Sequence, residues 1–320
     1  MVQKSENSKA TCDRGDSPVE PHGILVLNKP PGPTAFDCIR FLRKTCGITK
    51  KWKMGHLGTL DPFASGVMVI ALGQAVRYSK YGLGSRKKYR ARLWLGDETD
   101  TLDPSGNVTR SADVPNDWPD RLDEIRDKFT GLISQVPPQF SAKHVNGIRA
   151  YESARRGESV KLDPVDVEIY SLQFGDLSDQ WMDFTADVSS GTYIRALGRD
   201  IAYELCTVGH LLGLERIQSG PFPIEEAIPY LAFENGGSNV LYHHLRPVEQ
   251  ILYSLPEIQL AEGIDVKIQN GIPLSADEIT NAPDSYDHDT VYRLKCGKKF
   301  LALGKFREGK GLTPFKPWPV

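Results

Sequence analysis

The chain has 320 residues, 40% of them apolar, and a formal net charge of −2. That length fits two domains, that apolar content can build a true core, and the charge does not by itself announce a nucleic-acid partner. No apolar run reaches the roughly 18 residues of a membrane span, and five widely spaced cysteines without a CxxC pair (Cys12, Cys38, Cys46, Cys206, Cys296) exclude a disulfide framework and a zinc knuckle.

Met1 to Glu20 is polar and lacks the apolar stretch of a signal peptide, so residues 1–22 are expected to form a disordered tail on a cytoplasmic protein with reduced cysteines. Gly23 to Leu27 predicts a buried strand, which Lys29-Pro-Pro-Gly-Pro33 stops. Thr34 opens a helix with Asp37 three residues on, close to a capping box. Ala35, Ile39, Leu42 and Cys46 fall on one face of that helix. Gly55 to Gly66 is punctuated by glycine and proline and reads as an ordered loop. Strands follow over Val67–Leu72 and Lys87–Leu95, then a turn at Asp100–Gly106 and a helix marked by Leu122, Ile125 and Phe129. Val136-Pro-Pro138 breaks the chain. Val165, Val167 and Ile169 predict one half-buried strand, and Met182, Phe184, Ala186 and Val188 another. Gly191-Thr192 opens a helix with Ile194, Leu197, Ile201 and Leu205 on its core face and Thr192 as N-cap. Glu234-Asn-Gly-Gly-Ser238 reads as a linker. Beyond it, the apolar runs at Ile258–Leu260, Val291–Leu294 and Phe300–Leu303 predict a small β-rich domain.

The expected organisation is a tail over 1–22, a larger domain over 23–238 and a smaller one over 239–320. Strands and helices mix without regular βαβ alternation. The fold class is therefore α+β, with a mixed, mostly antiparallel central sheet and flanking helices.

Charge is segregated. Cys38 to Leu60 holds Arg40, Arg43, Lys44, Lys50, Lys51 and Lys53 with no acid, and Arg86 to Arg92 holds five basic residues in seven. Asp97, Glu98, Asp100 and Asp103 follow. One basic surface on an otherwise acidic chain is a phosphate-binding footprint, although a single charge run is as often just a solvated face. Other motifs fall away. Gly304 to Lys310 has P-loop spacing, but Gly311 stands where Ser or Thr is needed. Gly82-Leu-Gly84 lacks a third glycine, and Asp97 to Gly106 lacks calcium-loop spacing. No metal or nucleotide cofactor is expected.

Lys53 to Gly66 is the most informative stretch. It sets one carboxylate, Asp61, in a stiff loop just after a basic run and just before an apolar strand. An aspartate held that way can act as a nucleophile, whereas spacing alone more often signals a structural Asp-Pro turn. The segment resembles motif I of the TruB family of pseudouridine synthases, G-H-x-G-x-L-D-P. Later segments resemble the family in order: Lys88-Tyr89 with Leu95-Gly-Asp-Glu-Thr-Asp-Thr101, then Pro137-Pro-Gln-Phe-Ser-Ala-Lys143 with Gly147-Ile-Arg-Ala-Tyr151 and Ala154-Arg-Arg-Gly157. Ser190-Gly-Thr-Tyr-Ile-Arg195, Leu214-Glu-Arg216 and Ser219-Gly-Pro-Phe222 complete the match over Gly23 to Phe222. The tail, ending Phe300-Leu-Ala-Leu-Gly304 and Gly311-Leu-Thr-Pro314, resembles a small PUA-like domain more weakly. The chain departs from the family at Asn28, where Asp is frequent, at Leu57, where a small residue is common, and at Glu215, where Arg is usual.

The resemblance implies isomerisation of uridine to pseudouridine in the T loop of tRNA (position 55), by base flipping, without cofactor. It implies a monomer that needs no protein partner and no membrane. Asp61 would be the catalytic carboxylate. Arg195 would pair with it in bidentate fashion, with Arg199 one turn further along the helix. Tyr89 would be the platform for the flipped base and Leu214 would pack against it. His56 would fill the vacated stack, and Lys29 would contact a phosphate or the protein itself. Taken singly, His56 reads as a structural histidine, Tyr89 and Leu214 as core residues, and Arg195 equally well as a solvent-facing arginine. Two other readings compete. One is an RNA-binding or tRNA-folding protein with a degenerate site, and the other is a guide-RNA-dependent synthase. Activity on bare tRNA separates them.

Overall fold

The computed structural model describes residues 20–140, 144–145, 148–149, 162–281 and 286–319. Most of the expected tail, Ser141–Lys143, Gly147 and Ala150–Gly157 lie outside the described residues.

Ten strands form the main sheet. In chain order they are β1 (Gly23–Lys29), β2 (Met54–His56), β3 (Ser65–Leu72), β4 (Lys87–Leu95), β7 (Gly131–Gln135), β10 (Val165–Leu177), β11 (Trp181–Val188), β12 (Gly209–Ser219), β13 (Phe222–Pro223) and β14 (Ile228–Pro229). The numbers between them belong to two small hairpins, β5 (Asp97–Thr99) with β6 (Val108–Ser111) and β8 (His144–Val145) with β9 (Ile148–Arg149). The main order is β14-β1-β3-β12-β4-β11-β10-β7, with β2 on β3 and β13 on β12. Only β1–β14 and β3–β12 pair in parallel, so the sheet is mixed and mostly antiparallel, as expected.

Ile24–Leu27 of β1 and Val67–Leu72 of β3 are unbroken apolar runs because both faces of the sheet are covered there. Leu25, Leu27, Met68, Ile70 and Leu72 face a core closed by helices α1 (Ala35–Thr45), α3 (Leu122–Phe129) and α4 (Ile194–Glu204). Ile24, Val26, Val67, Val69 and Ala71 face a second core, which Tyr78, Ile251, Leu252, Phe300 and Leu303 complete. Each fully buried Leu or Ile contributes about 1.5–3 kcal/mol on this reckoning. Phe300 and Leu303 come from a separate four-stranded sheet, β15 (Glu257–Gln259), β16 (Tyr292–Cys296), β17 (Lys299–Arg307) and β18 (Gly311–Phe315). That sheet is thereby packed onto the back of the main one. Gly304 to Lys310 falls on β17 and the turn into β18, not on a phosphate loop.

Thr34 caps α1 in a full capping box with Asp37. Four expectations need correcting. Gly55 and His56, expected at the start of a loop, belong to a short strand, Met54–His56, on β3. Thr192 does not cap α4. Its hydroxyl donates to the Ser189 carbonyl, and the N-cap is Tyr193, whose backbone N–H donates to the Gln135 side chain. Glu234–Ser238 is not linker, because it lies inside the helical segment α5 (Ala232–His244). There Phe233 and Leu241 bury themselves on either side, and Gly237, at φ 48°, takes the kink between two helical pieces. Finally, the second sheet has a strand at Gly311–Phe315 that the apolar runs did not mark.

Candidate active site

The turn that follows β2 is pinned from both ends by buried cations. Lys29, at the end of β1, has no exposed surface, and its ammonium donates to the carbonyls of Pro30, Pro62 and Ala64 at 2.8, 3.2 and 2.6 Å. Arg216 on β12 is likewise buried and donates to the carbonyls of Val67, Thr59 and Gly58 at 2.7, 3.2 and 3.1 Å. Gly66 makes this reach possible. Its φ is +104°, and a Cβ there would stand 2.3 Å from the Arg216 carbonyl oxygen. The turn adds its own bond, Ala64 N–H to Asp61 O at 3.1 Å. Burial lowers the Lys29 pKa, and the Asp61 carboxylate is among the nearby charges that oppose this. The Lys29 ammonium faces carbonyls rather than solvent.

Asp61 meets Arg195 in a bidentate pair, Nε to Oδ2 at 2.8 Å and Nη2 to Oδ1 at 3.1 Å. Arg195 projects from the first turn of α4 and its side chain is only 6% exposed. The rest of its fork is also occupied. Nη1 donates to the Thr101 carbonyl at 2.7 Å and approaches Asp103 Oδ2 at 3.4 Å, while Nη2 also donates to the Phe140 carbonyl at 2.9 Å. Asp103 is fixed in turn by the Thr101 hydroxyl and the Ser105 N–H. The Asp61 side chain keeps 32% of its surface exposed. It opens into a cavity of about 280 Å³, whose wall includes Leu60, Lys87, Tyr89, Leu214 and Arg216.

Tyr89 and Leu214 lie on neighbouring strands, β4 and β12, and both line this cavity. His56 stands outside the cavity lining. It is half-buried on β2 and its Nδ1 has no partner among the described residues. Burial, then the Arg216 charge, lowers its pKa, so the ring is neutral near pH 7. Arg199 turns away, to Asp200 and the Val136 carbonyl.

Two cavity cations were not singled out by the sequence. Lys87 is buried and donates to the carbonyls of Leu83 and Ser85; burial, with help from Arg216, depresses its pKa to about 8. Arg216 is the other. Strand parity carried a signal for both, since Lys87 lies two residues before Tyr89 and Arg216 two residues after Leu214. We predict that Arg216→Met leaves the buried Val67 carbonyl contact unmade, at about 1–3 kcal/mol, and the part-buried carbonyls of Thr59 and Gly58 unpaired at less. A melting temperature within about 2 °C of wild type would show that the turn stands without it.

The basic run Arg86–Arg92 does not form one basic surface. Lys87 turns inward, and Arg86, Arg90 and Arg92 pair with Asp187, Glu215 and Asp183. Glu215, the departure on β12, is thus the cross-strand partner of Arg90. Leu57 is buried, and it fits because position 82 is glycine: a Cβ on Gly82 would stand 2.6 Å from Leu57 Cδ1. The other basic run keeps Lys44, Lys50, Lys51 and Lys53 exposed beside β2.

The family described as TruB family pseudouridylate synthase (N terminal domain) matches residues 43–194. The tRNA pseudouridine synthase B of Clostridium kluyveri is 37% identical over 285 residues, covering 88% of this chain and 94% of that protein. The protein of the same name from Caldanaerobacter subterraneus subsp. tengcongensis is 39% identical, covering 78% and 85%. Among solved structures, a chain of a Cbf5-Nop10-Gar1 complex superposes with a TM-score of 0.69 at 25% identity, covering 92% of this chain and 84% of that one. A curated relative 37% identical over nearly nine tenths of this chain, together with the matched N-terminal domain, means that the chain belongs to the TruB family of pseudouridine synthases.

Proposed function

We propose that this protein isomerises a uridine in the T loop of tRNA, acting alone and as a monomer in the cytoplasm, with Asp61 as the catalytic carboxylate. The observation that carries the reading is the Asp61–Arg195 pair, which aims one carboxylate into a cavity from a turn that cannot drift. The reaction breaks the N1–C1′ bond, turns the base and joins C5 to C1′. The C5 proton leaves and N1 gains one, so atoms balance without a redox partner or group donor.

A stacked uridine must first leave its helix, at a cost of a few kcal/mol. Tyr89 then supports the base and Leu214 packs against it. His56, as a neutral ring, fills the gap left in the stack. The relatives at 37% and 39% identity are named tRNA pseudouridine synthase B. That favours a stand-alone enzyme over a guide-dependent one, the reading closer to the Cbf5 likeness at 25%. We assign the second sheet, within the expected 239–320, as the PUA-like RNA-binding domain; the expected boundary at 238/239 itself falls inside α5, whose Leu241 belongs to the main core.

The test is the purified chain on a bare tRNA transcript labelled with tritium at uridine C5. Tritium release from one T-loop uridine is expected; no release, or release only with an added guide RNA, would refute the reading. Lys50, Lys51 and Lys53 form the basic approach. Replacing all three with Gln should weaken tRNA binding and flatten its salt dependence, by about 0.7–0.9 in the log–log slope for each phosphate that is no longer neutralised. An unchanged slope would place the RNA elsewhere.

A further inference from the structure

We infer that Arg77, Lys80 and Lys316, gathered around Tyr81, form a second site for RNA backbone phosphate, outside the catalytic cavity. The inference rests on the proposed RNA substrate. The cluster joins two remote stretches of chain. Arg77 is the penultimate residue of the 3₁₀ segment Gly73–Tyr78, Lys80 and Tyr81 lie on α2 (Ser79–Leu83), and Lys316 follows β18. The Lys316 ammonium donates to the Arg77 carbonyl at 2.6 Å, and Arg77 Nη1 donates to the Pro317 carbonyl at 3.2 Å. The ammonium groups of Lys80 and Lys316 stand 4.8 and 5.8 Å from the centre of the Tyr81 ring.

Every hydrogen bond that these cations make among the described residues goes to a neutral oxygen, and none of the three pairs with a carboxylate there. Several other cations of the chain differ in this. Arg86, Arg90, Arg92, Arg246, Lys267, Arg293 and Lys295 each have an acidic partner. Three like charges left together on a chain of net charge −2 call for an anion from outside. The Tyr81 hydroxyl adds a buried polar group with no partner among the described residues. Burial and the Lys80 and Arg77 charges depress the Lys316 pKa, and a bound anion would relieve the electrostatic part of that shift.

The frame is rigid. The Tyr78 hydroxyl donates to the Lys316 carbonyl, Trp318 N–H donates to the Leu301 carbonyl at 2.8 Å, and Tyr78, Phe300 and Trp318 pack ring to ring. The site adjoins the cavity along the chain, since Leu83, the last residue of α2, lines the cavity.

Lys80 is exposed and has no hydrogen bond among the described residues, so Lys80→Gln should not disturb folding. Binding of a tRNA transcript is measured across a salt series for wild type, Lys80→Gln, Lys80→Arg and the double variant Arg77→Gln/Lys80→Gln, alongside the rate at saturating RNA. We expect roughly threefold weaker binding and a log–log slope lower by about 0.7–0.9 for the single loss, a larger change for the double, retention in Lys80→Arg, and an unchanged saturating rate in Lys80→Gln. Unchanged affinity and slope in both neutral variants, with wild type active, would overturn the site, as would a loss confined to the saturating rate. An inactive wild type would instead sink the proposed function.

Discussion

Asp61→Asn should lower pseudouridine formation at least about 10³-fold, the order expected when the reacting group of a concerted site is removed, while tRNA affinity stays within about threefold of wild type. The substitution conserves shape, and the turn is held through its carbonyls, so the loop should not move. What changes is chemistry. An amide carries no negative charge, and it cannot accept from both Nε and Nη2 of Arg195, because one of its two terminal atoms is now a donor. Single-turnover tritium release and filter binding read the two quantities separately. Wild-type turnover in the variant would remove Asp61 from the chemistry, and a loss of binding equal to the loss of rate would make it a recognition residue.

Arg195→Met is expected to cost both rate and stability. The side chain now answers two carboxylates, Asp61 and Asp103, and two carbonyls, those of Thr101 and Phe140. Breaking a buried pair by removing one partner costs about 3–5 kcal/mol. The partly exposed Asp61 can recover some hydration, which puts the expected loss near the lower end. The rate should fall by about 10²-fold or more, because the carboxylate is then free to turn away from the reacting centre. Arg195→Lys keeps the charge without the planar fork and should fall between the two. A rate at saturating RNA equal to wild type, with only the dissociation constant raised, would make Arg195 a phosphate contact instead.

Strand parity and capping made much of the fold legible. β11 (Trp181–Val188) buries Met182, Phe184, Ala186 and Val188 as their alternation predicts, and Thr34 caps α1 through Asp37. The pairing of Asp61 with Arg195 spans 134 residues and could be expected only through the family resemblance. The same distance problem hid the fate of the basic run. Arg92, Arg86 and Arg90 find their acids 91, 101 and 125 residues away, beyond any local pattern. Thr192 departs from the N-cap expectation because the Ser189 carbonyl takes its hydroxyl, a contact made only once the turn has closed. Glu234–Ser238 carries the two glycines of a linker, yet flanking core residues keep the segment helical and one glycine absorbs the kink.

The way Lys29 and Arg216 grip the loop bears on protein engineering. Neither cation lies within the Gly55–Gly66 stretch, yet between them they occupy the carbonyls of Gly58, Thr59, Pro62 and Ala64. Grafted onto a foreign scaffold, the motif would carry its aspartate but arrive with those four oxygens facing nothing. Its working shape is therefore a property of β1 and β12, and a designer would have to import both strands with it.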